Sequence, residues 1–245
     1  MEQQANGSLR LVMSGIALAT SLTLASSAFA QRAAEGDEPP PTNIDQLTGK
    51  ILNEAIELMG MENYTAAQQK LATLKMDNLS PYEKGKVEQI LFNISYSQDR
   101  FDEARQHIQN AIDSGGLNAV EIDGLRYQSA QLYMQEEKWK EGAAALEEWF
   151  KTAMNPNSAA YYLLAVAYYQ QDDFERALPP AKKAVELMDK PNENWLQLVS
   201  ALHLQCEEFK EAIPILQRLI TVAPDKKTYW MQLSSIYGQM EDYPN

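Results

Sequence analysis

Apolar residues recur at helical spacing through residues 43–245, in stretches separated by short polar breaks. In the first stretch Leu47, Ile51, Ala55, Leu58 and Met59 fall on one helical stripe. Later stretches repeat one scheme. A first helix of about four turns carries apolar residues at i, i+3, i+4 and i+7. A short acidic or polar turn follows, such as Gln171-Asp172-Asp173. An aromatic then opens a second helix, with a small residue three positions on. The pairs are Tyr64/Ala67, Phe101/Ala104, Trp139/Gly142, Phe174/Ala177 and Phe209/Ala212, and Tyr243 opens a sixth. The six aromatics lie 37, 38, 35, 35 and 34 residues apart. A period in this range predicts an all-α chain of stacked helical hairpins. Stacked hairpins expose extended faces suited to binding.

Punctuation agrees with that scheme. Gly115-Gly116, Asn155-Pro156-Asn157, Pro191-Asn192 and Pro224-Asp225 separate the hairpins. Ser80-Pro81-Tyr82-Glu83 has an N-cap serine, a proline at the first helical position and a glutamate three residues past the cap. Asn43 with Gln46 reads as the cap that opens the array. The units run over residues 43–79, 80–117, 118–156, 157–191 and 192–226, with a partial unit at 227–245. Within each, the small residue lets two helices approach and the aromatic fills the gap beside it. Pro179, Pro180 and Pro214 fall inside second helices, where a proline removes a hydrogen bond and clashes one turn back. A kinked or shortened second helix is expected there. Residue 245 falls where the second helix of the sixth unit would begin. Trp230, Leu233, Ile236 and Tyr237 then form an apolar face with nothing after it, so the parent protein is expected to continue.

At these residues the chain resembles the tetratricopeptide repeat family. Tyr161, Leu164, Ala165, Tyr168, Phe174, Ala177 and Ala184 follow its pattern, with Ala181 departing from a large residue. Trp230, Leu233, Ser234, Tyr237 and Tyr243 fit as well. Ala212, Leu216 and Pro224 agree around Phe209, while Trp195 sits one residue early. The resemblance implies a right-handed α-α solenoid of about five hairpins plus a final unpaired helix. It also implies that first helices line a concave ligand face. Carried onto this chain, that face holds Gln89, Asn93, Tyr96, Tyr127, Gln131, Met134, Tyr162, Val166, Tyr169 and Gln170. None is Lys or Arg, which argues against the carboxylate clamp of the family's chaperone-binding branch. A tyrosine- and glutamine-lined groove suits a protein or an extended peptide, with large rigid rings and backbone-bonding amides.

The N-terminus adds a compartment. Residues 11–30 are uncharged, follow Arg10 and end Ala28-Phe29-Ala30. This predicts a secretory signal peptide spanning residues 1–30, cleaved after Ala30, and leaves no stable membrane insertion. Residues 31–42, QRAAEGDEPPPT, read as a disordered proline-rich spacer. Glu2 and Arg10 cancel, so the net charge of −13 belongs to the mature part. That charge argues against nucleic acid and against docking on anionic lipid. The lone Cys206 excludes an internal disulfide.

No catalytic motif stands out. His107 and His203 belong to different units, and no metal-binding, phosphate-loop or nucleophile-elbow pattern appears. Neither an enzyme nor a cofactor is expected. An exported acidic scaffold fits a Gram-negative periplasm. Residues 229–244 (YWMQLSSIYGQMEDYP), with Trp195 and Pro214, are similar to periplasmic repeat proteins that accompany TonB-type energy-transduction systems. That likeness implies an accessory role in energised outer-membrane uptake, for example of iron complexes. Two other readings stand beside it: an envelope assembly factor using the same groove, and a targeting module of a longer enzyme.

Overall fold

The computed structural model describes residues 42–190 and 192–240. It contains eleven α-helices and no strand among them. The odd-numbered, first helices are α1 (Gln46–Gly60), α3 (Pro81–Ser97), α5 (Ala119–Gln135), α7 (Ser158–Tyr169), α9 (Glu193–Gln205) and α11 (Lys227–Gln239). The even-numbered, second helices are α2 (Tyr64–Leu71), α4 (Phe101–Asp113), α6 (Trp139–Thr152), α8 (Phe174–Leu187) and α10 (Phe209–Val222). Each first helix packs on its own second helix, and each second helix meets the first helix of the next unit. The result is an all-α solenoid. The expected signal peptide and spacer, and Tyr243, lie outside the described residues.

One turn joins every hairpin. Its first element is an exposed acidic residue in the left-handed region: Glu62, Asp99, Glu137, Asp172 and Glu207 all have φ between 56° and 59°. The N–H of the next residue reaches back to a carbonyl five positions earlier: Asn63 to Leu58, Arg100 to Ser95, Lys138 to Tyr133, Asp173 to Tyr168 and Glu208 to His203, at 2.8–3.0 Å. This satisfies carbonyls that a helix end leaves orphaned. The same residue's carbonyl then accepts from the small residue of the second helix, as in Arg100–Ala104 at 2.9 Å and Lys138–Gly142 at 2.8 Å. Ala67, Ala104, Ala177 and Ala212 are completely buried, whereas the aromatics that open their helices are only half-buried. The small residue is therefore the core member of each pair. At Gly142 the Met134 sulfur occupies the space instead, 2.5 Å from where a Cβ would stand.

The cores are local. Leu52, Ala55, Ala67, Leu71, Val87, Ile90 and Ile94 join the first hairpin to α3. Phe92, Ala104, Ile108, Ala111, Leu117, Leu125 and Leu132 repeat that arrangement one unit on. The 37- and 38-residue spacings have one main cause. Helices α3 and α5 each have 17 residues, whereas α7 has 12 and α9 has 13. A longer linker with a 3-10 turn at Met76–Asn78 offsets the short, eight-residue α2.

Several caps are as expected and one is not. Ser80 and Glu83 form the anticipated capping box, with Pro81 at the first position. Asn118 and Glu121 form a second one. The array opens on Asp45 rather than Asn43, and the Asp45 side chain accepts from the Leu47 and Thr48 N–H groups. The prolines do not shorten their helices. Helices α8 and α10 each run 14 residues through Pro179, Pro180 and Pro214, the same length as α6. Pro179 and Pro214 are exposed. The carbonyl each leaves unbonded lies one turn back on the same face, where water can reach it.

A charged cluster ties the second hairpin to the third. Arg105, nearly buried, bonds Asp102 and Glu136 and stacks 4.3 Å above the Tyr133 ring. Lys138 joins from the next turn, 2.9 Å from Glu136 and 3.4 Å from Asp102. Burial pushes the Glu136 carboxyl up, but the hydrogen bonds from Arg105 and Lys138 outweigh it and hold the group below its ordinary 4.5. The carboxylate form is thus favoured by folding.

Three outcomes follow. Ala177→Leu overpacks a hairpin crossing and should lower stability by about 1–3 kcal/mol in urea unfolding. Glu137→Gly relieves a left-handed non-glycine residue and should raise it by about 1 kcal/mol. The coupling of Arg105 to Glu136, measured by a double-mutant cycle, should be full above pH 5 and fade as pH falls through Glu136's lowered folded value.

Candidate functional site

The first helices stand side by side, and specific contacts link four of their five successive pairs. The Asp45 N–H donates to Glu83 at 2.8 Å, joining α1's cap to α3. Lys86 of α3 pairs with Glu121 of α5. The Tyr162 ring of α7 stacks on Trp195 of α9, with centroids 4.8 Å apart and planes 15° apart. Tyr229 of α11 bonds both Glu193 and Gln197 of α9. The second helices have their own link, from Glu147 of α6 to Arg176 of α8 at 2.8 Å. Hairpin turns also touch along one edge, where Gln171 donates to the Trp139 carbonyl at 3.3 Å.

The structure places the ten expected groove residues unevenly. Gln89, Asn93, Tyr96, Tyr127, Gln131, Tyr162, Tyr169 and Gln170 are half-buried on first helices or their caps. Asn93 donates to the Gln89 carbonyl of its own helix at 2.9 Å, and Lys86 donates to the Gln89 side chain at 3.1 Å. Met134 and Val166 do not reach the surface, with exposures of 6% and 3%. Met134 is turned under α5 against Gly142, and that close approach is the physical reason for its burial.

The tyrosines have a double life. Tyr96 lies 6.2 Å from both Phe92 and Phe101, inside the cluster that joins α3 to α4. Tyr127 packs 4.7 Å from Trp149, and Tyr169 lies 5.6 Å from Phe174. Burial pushes the Tyr127 hydroxyl up, against a pull the other way from Gln131. Burial alone raises Tyr162 to about 12. Burial thus favours the neutral form of Tyr127 and Tyr162, whose rings act as walls. The polar contacts of the face come chiefly from glutamine and asparagine.

One set of residues escaped the reading of the sequence. Gln135, Gln170, Gln205 and Gln239 occupy the same place in four consecutive units, at or just past the end of the first helix. Only Gln170 was carried onto the groove. The signal was present as glutamine four residues before Trp139, Phe174, Phe209 and Tyr243.

Elsewhere the chemistry is structural. His107 is 2.7 Å from Glu88, and the buried His203 is 2.8 Å from Glu208. Burial, then the nearby Glu208 and Glu175 carboxylates, pushes the Cys206 thiol up, away from the reactive thiolate. Among the described residues no group of three His, Cys, Asp or Glu could hold a metal ion. No helix among them is long and apolar enough to cross a membrane.

Comparison with known proteins agrees with this architecture. Residues 127–190, two of the five hairpins, match the tetratricopeptide repeat family model. No curated protein matches the sequence. Among solved structures, a tetratricopeptide repeat protein from Parabacteroides merdae aligns with a TM-score of 0.58 at 16% identity, over 80% of this chain and 75% of that one. YrrB, a repeat protein described as having an unusual peptide-binding site, aligns at 0.54 and 16% identity, over 64% of this chain and 78% of its own. MamA from Desulfovibrio magneticus aligns at 0.55 and 15% identity, over 75% of this chain and 99% of its own. Identities this low speak to the fold alone. The matched hairpins share their turn geometry with the other three, so the tetratricopeptide repeat match at residues 127–190 sits within one all-α solenoid of like hairpins.

Proposed function

We propose that this protein is an exported scaffold that holds a protein partner against its layer of first helices in a bacterial periplasm. The observation that carries this reading is the composition of that layer. In a chain with net charge −13, Gln89, Asn93, Tyr127, Gln131 and Tyr162 form an uncharged, half-exposed, hydrogen-bonding strip beside the Lys86–Glu121 pair. Depletion of charge with enrichment in tyrosine is the composition of a protein-recognition surface. The compartment rests on the uncharged run after Arg10 and its Ala28-Phe29-Ala30 ending. The likeness of residues 229–244 to TonB-associated repeat proteins makes energised outer-membrane uptake the setting we favour, with a component of that system as the partner.

Two measurements test this. N-terminal sequencing of protein secreted by a Gram-negative host should read from Gln31; a start at Met1 removes the periplasmic assignment. Photo-crosslinking residues placed at Asn93 and Gln131 should give a discrete adduct in the periplasm, while the same residue at the exposed second-helix positions Gln106 and Gln217 should give none. Adducts of equal yield at all four positions would overturn the first-helix layer as the docking face. Asn93→Lys with Gln131→Lys should abolish the adduct formed through Gln89 and leave the melting temperature unchanged.

A further inference from the structure

The two ends of the array differ. At the first end, Lys50, Asn53 and Glu57 of α1 are exposed. One repeat on, the same places hold Val87, Ile90 and Ile94, all buried against the first hairpin. Polar residues thus seal the outer side of α1, as a terminal repeat requires. At the other end, Tyr229 and Ile236 of α11 are buried in register with Val87 and Ile94, so α11 is seated on the hairpin before it. Its next side is bare. Ser234 is exposed, whereas Ala55, Phe92, Ala130, Ala165 and Ser200, in the same place of the other first helices, are all buried. There each first helix packs on its own second helix. Trp230 and Tyr237 flank Ser234 with exposures of 54% and 44%. The Trp230 indole donates to the Pro224 carbonyl at 3.1 Å, which holds this exposed ring in one orientation.

We propose that a second copy of this chain covers that side, α11 against α11 about a two-fold axis. The face itself supplies both halves of the pairing found in every hairpin, an aromatic beside a small residue. Trp230 and Tyr237 lie about two turns apart, centred between Leu233 and Ser234. An antiparallel copy sets Trp230 beside Tyr237 twice. It also brings the two Ser234 positions together at the axis, where a small side chain lets the helices approach. Charge permits this contact. Two chains of net charge −13 repel one another, but α11 contains no Asp or Glu and a single Lys, Lys227. A head-to-tail contact would instead bury Lys50 and Glu57 of α1 against an apolar face without partners, which is unfavourable. The isologous contact, which closes at two copies, is left. Two helix faces of this length bury less than about 1,200 Å² in total, the range of reversible contacts. Met231, in register with Gln89, lies about 100° round the helix from Trp230 and stays outside the contact. The dimer therefore carries two docking faces, and a partner with two docking segments is held by both.

Sedimentation of the full-length protein over a concentration series tests this. The mass should rise from one chain to two as concentration rises. High salt should favour the dimer, because it screens the repulsion between two acidic bodies and no ion pair holds the contact. Ser234→Glu sets two carboxylates together at the axis and should weaken association at least about tenfold, since like charges brought together at an interface oppose it. At concentrations where both proteins are monomers, that variant should melt with the parent, because Ser234 is exposed. In a Cys206→Ala background, Ser234→Cys should crosslink to its copy on oxidation, which requires Cα atoms within about 7 Å. Gln217→Cys, on the exposed side of α10, should not. One chain mass at every concentration, a dimer that survives Ser234→Glu, or equal crosslinking at position 217 each overturn the proposal. So does a monomer in which acrylamide fails to reach Trp230, read against Trp230→Phe, since a further helix of the same chain then covers the face. None of these results bears on the docking face, whose crosslinks at Asn93 and Gln131 are read separately.

Discussion

Everything in this fold depends on one turn. A first helix ends, one residue enters the left-handed region, and the next N–H returns to a carbonyl five residues back. That return bond caps the first helix, while the same residue's carbonyl starts the second. The small residue one turn on is thereby pressed against the first helix with no room for a side chain beyond Cβ. Backbone hydrogen bonding thus sets the hairpin crossing, and close packing consolidates it. Because the turn recurs five times with φ constant within a few degrees, the hairpins share one geometry and the array follows by repetition.

Acidic residues at the left-handed position are an unexpected choice. Glycine enters that region without steric cost, and glutamate does not. The chain accepts the strain five times and gains an exposed carboxylate at each turn. The turns touch along one edge, and these carboxylates mark it, while the first-helix places in register with Gln89, Asn93 and Tyr96 hold no charge. The hairpin turns alone contribute −6 of the net charge of −13, whereas the second helices sum to zero. The acidic edge repels acidic segments.

The repeat, the hairpin boundaries and the Ser80 capping box were legible because period and punctuation are written locally in the sequence. The pairing of an aromatic with a small residue was legible too, but its internal balance was not. Burial falls on Ala104 and Ala177 rather than on Phe101 and Phe174, and only the crossing of two helices decides that. The prolines misled for a similar reason. Pro179 and Pro214 look like helix breakers, yet their place in the second turn on the solvent side leaves the lost hydrogen bond to water. The cause of the 37- and 38-residue spacings required helix lengths, which differ between α3 and α7 without any change in the turn. Met134 illustrates the limit of carrying a family's groove across by register. Its neighbour across the hairpin is a glycine, and the flexible thioether sinks into that space instead of facing out.

The same turn that builds the fold also writes the candidate site. A residue at the end of a first helix has its backbone fixed by the return hydrogen bond, so its side chain leaves each repeat in the same direction. A residue type conferred on that place in successive repeats becomes a row with the period of the solenoid. In the first two units the place holds Gly60 and Ser97, and from the third onward it holds glutamine. The row begins at the end of the last 17-residue first helix, and the helices that carry its later members have 12 or 13 residues. The tyrosines beside it are partly committed to the core.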